Sequence, residues 1–485
     1  MRVLLTGATG FVGRALVLRL QRDGHTITAL VRSVPRARAV LGADVALVDL
    51  AAGKAGLVEA VANADAIVNL SGEPIAGGRW TASRRAAIVD SRVGFTDRLV
   101  EAIASAPRRP RVLLSASAVG YYGDRGDESL DESSPPGTGF LAETCVQWEA
   151  AAERATPLGL RVARLRLGVV MGLGGGFLER LLPLVRMGLG ARLGNGRQWM
   201  PWIHIDDLAD LFATVLTDER YVGPIDAVAP GAVRLGQLMQ SLAGALGRDA
   251  GLVVPAAGLR LALGEAADVV LDGQQLRGAR LAALGFQHRH ADVDSAFAAL
   301  AELLGTIAID KITPETPPPL ADVPYLKEGR PTHLLRSRIT LDAPLADVFA
   351  FFSRPENLGL ITPAGMAFRI REAPTSVEEG SVIDYDLRIA GAAVKWRTRI
   401  ARWRPGEHFV DSQERGPYRC WWHEHHFAAD GDRTVMEDRV YFALPWGPLG
   451  VLARQTFVIR QLRDVFGFRG QAIGLRFRES GLPQR

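Results

Sequence analysis

The chain has 485 residues, 48% of them hydrophobic, and its 57 Lys and Arg stand against 53 Asp and Glu for a net charge of +4. That length exceeds one ordinary core and predicts two or three globular domains. The near-balanced charge, with no basic run interleaved with aromatics, sets nucleic acid aside as an expected partner, and no apolar run reaches the roughly 18 residues of a membrane span.

Residues 3–6 predict a buried strand that runs straight into Gly7, Gly10 and Gly13. Glycines at this spacing supply a tight turn, close approach of the backbone to a pyrophosphate, and close helix-on-strand packing. The helix over 13–23 would begin near Phe11 with its N–H groups facing the phosphates, so Gly7, Thr9, Gly10, Phe11, Val12 and Gly13 are the expected cofactor cradle. The second strand, 26–31, ends at Arg32, with Arg36 and Arg38 close behind. A basic residue there pairs with a 2′-phosphate where an acid would hold a ribose 2′-hydroxyl. NADP(H) is therefore expected ahead of NAD(H), against the alternative that these arginines only solvate a loop. A third strand, 45–48, exits through Asp49 and Leu50 beside the adenine. A strand over 66–70 delivers Asn69, Leu70, Ser71 and Gly72 to the carboxyl edge of the sheet, where open α/β folds bind ligands. A mostly helical stretch, 78–101, carries Ser91 and Arg92 back to the sheet, and a strand over 112–115 follows.

Four motifs now stand in order: Thr6-Gly-Ala-Thr-Gly-Phe-Val-Gly13, Asn69-Leu-Ser-Gly72, Ser115-Ala-Ser-Ala-Val-Gly-Tyr-Tyr-Gly-Asp124 and Trp202-Ile-His-Ile-Asp-Asp207. Together they resemble an extended short-chain dehydrogenase/reductase, and more narrowly its atypical, sugar-nucleotide-epimerase-like branch, over about residues 1 to 300. The resemblance implies a doubly wound Rossmann sheet. It also implies a Ser that binds the reacting oxygen, a Tyr that moves the proton, and a Lys four residues later that lowers the Tyr pKa. Ser117 matches the Ser, with Ser115 beside the cofactor; both serines could instead satisfy backbone groups at a strand end.

The Tyr and Lys are missing. Aligning Glu149 with the acid that follows the Lys places Cys145 at the Lys position and Leu141 at the Tyr position. The branch shares this Phe-Leu-Ala-Glu-X-Cys-X-X-Trp-Glu pattern. If proton transfer survives, Tyr121 and Tyr122 are the nearest phenols and Glu143 the nearest carboxylate; the two tyrosines could equally pack over the sheet edge. Cys145 has no neighbouring base or cation and reads as a small buried hydrophobe.

Farther on, a strand over 161–167, a glycine loop over 172–176 and an apolar helix over 177–187 lead to Arg197, Gln198 and Trp199. A fork of donors beside an aromatic face suits an anionic or sugar-like substrate, or else stabilises the loop. His204 and Asp206 are expected to cap a helix. Residues 251–300 predict a small helical cap, which closes a first domain over 1–305.

Composition then changes. Thr313-Pro-Glu-Thr-Pro-Pro-Pro319 suits neither helix nor central strand, so 306–330 is expected to be a semi-rigid linker. Residues 331–485 carry five of the nine tryptophans. Their expected order is a strand over 333–341, two short helices, strands over 381–389, 394–403, 408–413, 418–427 and 434–442, and a terminal helix over 451–468. With Leu341-Asp-Ala-Pro344, Pro355-Glu-Asn-Leu358 and a strand leaving through Val440-Tyr-Phe-Ala-Leu-Pro-Trp-Gly-Pro-Leu449, this resembles the START-like (SRPBCC) superfamily. The resemblance implies an α+β helix-grip domain around an apolar ligand. On a strand, Trp421, His423 and His425 share one face and His426 points opposite. Two same-face imidazoles with no third ligand in view give no expectation of a metal.

Cys145 and Cys420 are far apart and lack metal-ligand spacing, which fits a reducing compartment, the cytoplasm by default; the chain enters its first strand with no room for a signal peptide. The functional expectation is an NADP(H)-dependent oxidoreductase or epimerase acting on a carbonyl or hydroxyl of a hydrophobic small molecule that the second domain binds. The alternative is a non-catalytic NADPH sensor or scaffold coupled to that domain. Oligomeric state is not legible.

Overall fold

The computed structural model describes residues 1–75, 78–186, 191–249, 252–320, 330–389, 391–443 and 451–477. They divide into two compact units, Met1–Val34 with Asp44–Ala301, and Pro35–Ala43 with Glu302–Arg485.

The first unit is built on seven strands: β1 (Arg2–Thr6), β2 (Thr26–Val31), β3 (Ala46–Asp49), β4 (Ala66–Asn69), β5 (Val112–Ala118), β6 (Arg161–Leu167) and β7 (Gly223–Ala227). They lie in the order β7-β6-β5-β4-β1-β2-β3, and every pair is parallel. Strands buried on both faces must read as continuous apolar runs, and Val3, Leu4 and Leu5, like Ala66, Ile67 and Val68, are fully buried. The order reverses at β1 and β4, so their carboxyl ends diverge and leave a crevice.

Helices cover the sheet: α1 (Phe11–Arg22), α2 (Gly53–Ala62), α3 (Ala82–Val89), α4 (Phe95–Ser105), α5 (Phe140–Glu153), α6 (Gly176–Arg186) and α7 (Ile205–Thr217). Helix α4 turns Phe95, Leu99 and Ile103 into one core with Leu4, Ile67 and Leu113; each such side chain contributes about 1.5–3 kcal/mol by leaving water. The cap is less helical than its sequence predicts, because Leu252–Val254 pairs as a parallel strand with Ala191–Leu193. Helix α6 is described to Arg186, and Met187, the last residue of the expected helix, lies outside the described residues.

The second unit holds an eight-stranded sheet: β8 (Ile307–Lys311), β9 (His333–Leu341), β10 (Arg369–Glu372), β11 (Val382–Ile389), β12 (Ala392–Arg404), β13 (His408–Arg415), β14 (Cys420–Asp430) and β15 (Arg433–Ala443). Its order is β8-β9-β15-β14-β13-β12-β11-β10, antiparallel throughout. Between β9 and β10 lie α8 (Leu345–Phe352) and two short 3₁₀ turns, and the long α9 (Val451–Phe477) closes the described chain.

Two expectations are corrected here. The linker does not begin at 306: Ile307–Lys311 pairs antiparallel with β9 as an edge strand of the sheet. The terminal helix runs to Phe477 rather than 468. Gly467, Gly470 and Gly474 weaken its intrinsic preference, but Phe468, Ala472, Ile473 and Leu475 are buried, and packing overrides propensity. The proline exit at 444–449 lies outside the described residues. Among the described residues no helix is long and apolar enough to cross a membrane.

Candidate functional site

The carboxyl end of β1 becomes a turn because Gly7 adopts φ +67°, a conformation glycine enters without a Cβ penalty. A Cβ on Gly7 would stand 2.5 Å from the Leu70 carbonyl oxygen, and one on Gly13 would stand 2.2 Å from the Gly7 carbonyl. The loop is thus pressed against β4 on one side and α1 on the other. Gly10 is the residue before α1; no side chain caps that end and no acid occupies its first turn. Its N–H groups and the positive end of the helix dipole therefore suit an anion. Phe11 is clasped by the glycine loop, where Cβ atoms on Gly172, Gly175 and Gly176 would meet its ring at 3.1 Å or less.

Arg32 projects beyond β2, its side chain 82% exposed, with Nη1 3.0 Å from Glu73 Oε1. Arg38 is spent elsewhere, donating to the Gly42 and Ala43 carbonyls. The Asp49 carboxylate accepts from the Ala51 backbone N–H at 2.9 Å, which fixes the turn carrying Leu50.

Asn69 is wholly buried. Its Oδ1 accepts from Thr6 Oγ1 at 2.8 Å and its Nδ2 donates to Thr96 Oγ1 at 2.9 Å. It therefore splices β1, β4 and α4 together, while Thr6 Oγ1 accepts from the Leu70 N–H and Asn69 Oδ1 from the Ser71 N–H. A π-helical turn, Asp90–Gly94, joins α3 to α4. It sends Ser91 to accept from the Glu73 N–H at 2.9 Å and sets the Arg92 guanidinium against Gly72 and over the Trp148 ring. Glu73, Arg79, Arg84 and Arg180 line a cleft of about 660 Å³ here.

At the end of β5 stands a buried polar chain. The Ser117 hydroxyl donates to Glu149 Oε1 at 2.7 Å. Arg166 grips Glu149 with two parallel hydrogen bonds, 2.8 and 2.9 Å, and donates from Nη1 to the Tyr122 oxygen at 2.8 Å. The Tyr122 hydroxyl lies 2.8 Å from the Asp226 carboxyl and 3.0 Å from the Asp131 carbonyl. Burial, then the charge of Glu132, pushes the Asp226 carboxyl up to about 7. Burial and the Asp226 charge push the Tyr122 phenol far above its usual value.

Several expected roles change as a result. Tyr122 is fully buried with its hydroxyl engaged, so it is a structural phenol and not an available acid. Tyr121 lies half-buried with the Arg166 guanidinium 3.5 Å over its ring. Glu143 is exposed; two residues from Cys145 is about 200° around α5, so the two face opposite ways. Cys145 is buried, and burial followed by the Glu149 charge raises its thiol to about 12. Ser115 lies buried, 3.5 Å from Asn69 Nδ2. The His204 ring accepts from the Asp206 N–H as the cap of α7.

Of the substrate trio, Gln198 donates to the Leu193 and Val270 carbonyls. The Trp199 indole donates to Asp127, under the Arg234 guanidinium. Both are loop-building contacts. Arg197 offers its carbonyl to Arg234. Arg166, Asp226 and Glu149 escaped the sequence reading as site residues; the available signal was a basic residue within the buried run Arg-Val-Ala-Arg-Leu-Arg-Leu of β6.

Residues 3–226 match the NAD dependent epimerase/dehydratase family, and 254–300 match a domain of unknown function, DUF1731. The chloroplastic epimerase family protein SDR39U1 homolog of Arabidopsis thaliana is 42% identical over 302 residues, covering 62% of this chain and 86% of that protein. The chain belongs to the NAD-dependent epimerase/dehydratase family. An epimerase family protein of Mycobacterium bovis is 36% identical over 61% of this chain and 95% of its own length. The crystal structure of the human epimerase family protein SDR39U1 with NADPH superposes with a TM-score of 0.55 at 32% identity, covering 62% of this chain and 99% of that one. The expectation of a nicotinamide dinucleotide agrees with the epimerase family and with the NADPH in the human structure.

Proposed function

We propose that the first unit binds NADP(H) and transfers hydride to or from a carbonyl or hydroxyl of a small molecule. The carrying observation is the cradle itself: Gly7 and Gly13 admit no Cβ, and the uncapped start of α1 faces the crevice between β1 and β4. Arg32 is the proposed 2′-phosphate partner, with Asp49 and Leu50 beside the adenine and Asn69, Leu70, Ser71, Gly72 and Ser115 lining the nicotinamide side. The NADPH held by the human relative supports the phosphate form. Ser117, whose proton is committed to Glu149, would accept a hydrogen bond from a substrate hydroxyl, and Tyr121 is the phenol left to carry a proton. The Arg79, Arg84 and Arg180 guanidiniums of the adjacent cleft suit an anionic group on the substrate.

Residues 331–485, together with β8, are proposed as a START-like helix-grip domain for a hydrophobic ligand, tethered to the first domain. The succession of β9, α8, six antiparallel strands and α9 supports this, as does the cluster of Leu335, Leu387, Trp396, Trp421 and Val440 with Phe466 of α9. The cytoplasm is the proposed compartment, since both cysteines are free.

A second reading, an NADPH-dependent sensor without turnover, is favoured by one observation: the Tyr122 hydroxyl is engaged and a high-pKa thiol stands where the Lys is expected. Replacing Arg32 by Glu should weaken NADPH more than tenfold and NADH little; equal losses would remove the phosphate assignment. Incubation with NADPH and a panel of carbonyl substrates separates the two readings. Cofactor oxidation with any of them supports the enzyme, and tight NADPH binding that shifts ligand affinity without oxidation supports the sensor.

A further inference from the structure

Strands β13, β14 and β15 bring together four side chains that their spacing alone does not connect. Asp411 pairs across β13 and β14 with His423, and His425 pairs across β14 and β15 with Asp438. His423 and His425, two apart on one strand, share a face. Asp411 Oδ2 lies 2.9 Å from His425 Nε2 and 3.4 Å from His423 Nδ1. On the far side Asp438 Oδ1 lies 3.0 Å from His423 Nε2 and 2.8 Å from His425 Nδ1. Each imidazole thus shows one nitrogen to Asp411 and the other to Asp438.

We propose that Asp411, His423 and His425 are the protein ligands of a divalent transition-metal ion of the zinc class. Their ligand atoms all lie within 4.8 Å of one another. The two measured separations match the edges of a tetrahedron or octahedron built on metal–ligand bonds of about 2.0–2.2 Å. Asp438 supplies the outer carboxylate that metal-binding histidines use to fix their tautomer. With both N–H groups turned to Asp438, the Asp411 side would present two lone pairs and a carboxylate to an ion.

The Arg469 guanidinium, 3.6 Å from Asp438 Oδ1 and 3.2 Å from His425 Nδ1, balances the outer carboxylate and leaves the Asp411 charge for the ion. Two nitrogens and one oxygen favour Zn²⁺, Co²⁺ or Fe²⁺ over Mg²⁺ or Ca²⁺. Phe409 stacks on His425 at 4.1 Å and Phe466 stands 5.5 Å from His423, so the rings are held by apolar walls. Asp411 keeps 20% of its side chain exposed, which leaves an entry. Three protein ligands also leave a coordination position open for water or a ligand.

A second grouping, His204, Asp206 and His290, is weaker because the His204 ring already caps α7. His426 is outside the proposed site, its Nε2 held by Glu424 at 3.0 Å.

The test uses the full chain, stripped with EDTA and titrated with Co²⁺, then Zn²⁺. The expected result is one tight equivalent of Co²⁺ with visible d–d absorption that Zn²⁺ displaces and Mg²⁺ does not. X-ray absorption at the cobalt edge should show two imidazoles in the unmodified protein. Asp411→Asn and His425→Gln should weaken binding more than a hundredfold, Asp438→Asn by about 10–100-fold, and His204→Gln not at all, with folding checked by circular dichroism. Absence of a bound equivalent, a cobalt spectrum without two imidazoles, or affinity unchanged in both Asp411→Asn and His425→Gln would overturn the site and leave a His–Asp hydrogen-bond network only.

Discussion

Glu149 is the most exacting place to perturb this protein. Its carboxylate accepts two parallel hydrogen bonds from Arg166 and a third from Ser117, with side-chain exposures of 6% for Glu149 and 3% for Arg166. Glu149→Leu leaves the guanidinium buried with the Tyr122 oxygen and the nearby Asp226, and an uncompensated buried charge costs about 3–5 kcal/mol. At about 2–4 °C per kcal/mol for a domain of this size, the first unit should melt roughly 6–20 °C lower. Arg166→Met should cost a similar amount by stranding the carboxylate. The double variant removes both charges and fills the space with apolar atoms, so its loss should fall short of the sum of the singles by about 2 kcal/mol or more. Guanidinium titration of the three variants, followed by circular dichroism and fluorescence, measures the cycle. Single losses under about 1 kcal/mol, or strictly additive losses, would refute the reasoning, because they would mean that water or another partner already compensates each charge.

Gly13→Ala drives a methyl into the Gly7 carbonyl and Ala8 backbone, so it should cost about 1–3 kcal/mol and lower NADPH affinity at least tenfold in a fluorescence titration. Tyr122→Phe removes a hydroxyl shared by Arg166 and Asp226 and should destabilise by about 1–3 kcal/mol, while any NADPH oxidation measured with the folded variant persists. Asp226 has a folded pKa raised to about 7 from 3.8. Between those values the folded state holds the proton that the unfolded state has lost, so its contribution to stability falls as pH rises from 4 to 7 and then levels. At 1.36 kcal/mol per unit the ceiling is about 4 kcal/mol. Melting curves of Asp226→Asn should therefore gain on the unmodified protein across that window; a gap constant with pH would contradict the assignment.

The cradle was readable because its demands are local. A positive φ at Gly7 and a forbidden Cβ at Gly13 leave glycine as the sole choice, whatever the rest of the chain does. The parallel strands were readable because burial on both faces writes an unbroken apolar run. Arg166 was not, since a basic residue within a strand makes sense only beside Glu149, on a helix that precedes it. Asp411 escaped for a related reason: it becomes a partner of His423 only through the register of the antiparallel strands β13 and β14, which spacing along the chain does not reveal. Ile307–Lys311 was masked by the prolines after it, its partner β9 lying beyond them. Tyr121 and Tyr122 were both nominated as phenols, and one residue of offset separates a half-buried ring from a buried, hydrogen-bonded one.

The π-helical turn at Asp90–Gly94 also separates two demands on one helical stretch. Such a turn absorbs one residue more than an α-helix would, within a single wide turn. The helix beyond it therefore stays in phase, and Phe95, Leu99 and Ile103 keep their places against Leu4 and Ile67. The extra residue is spent on the crevice side, where Ser91 meets the Glu73 N–H and Arg92 lies over Trp148, so the display of these two side chains is uncoupled from the core behind it.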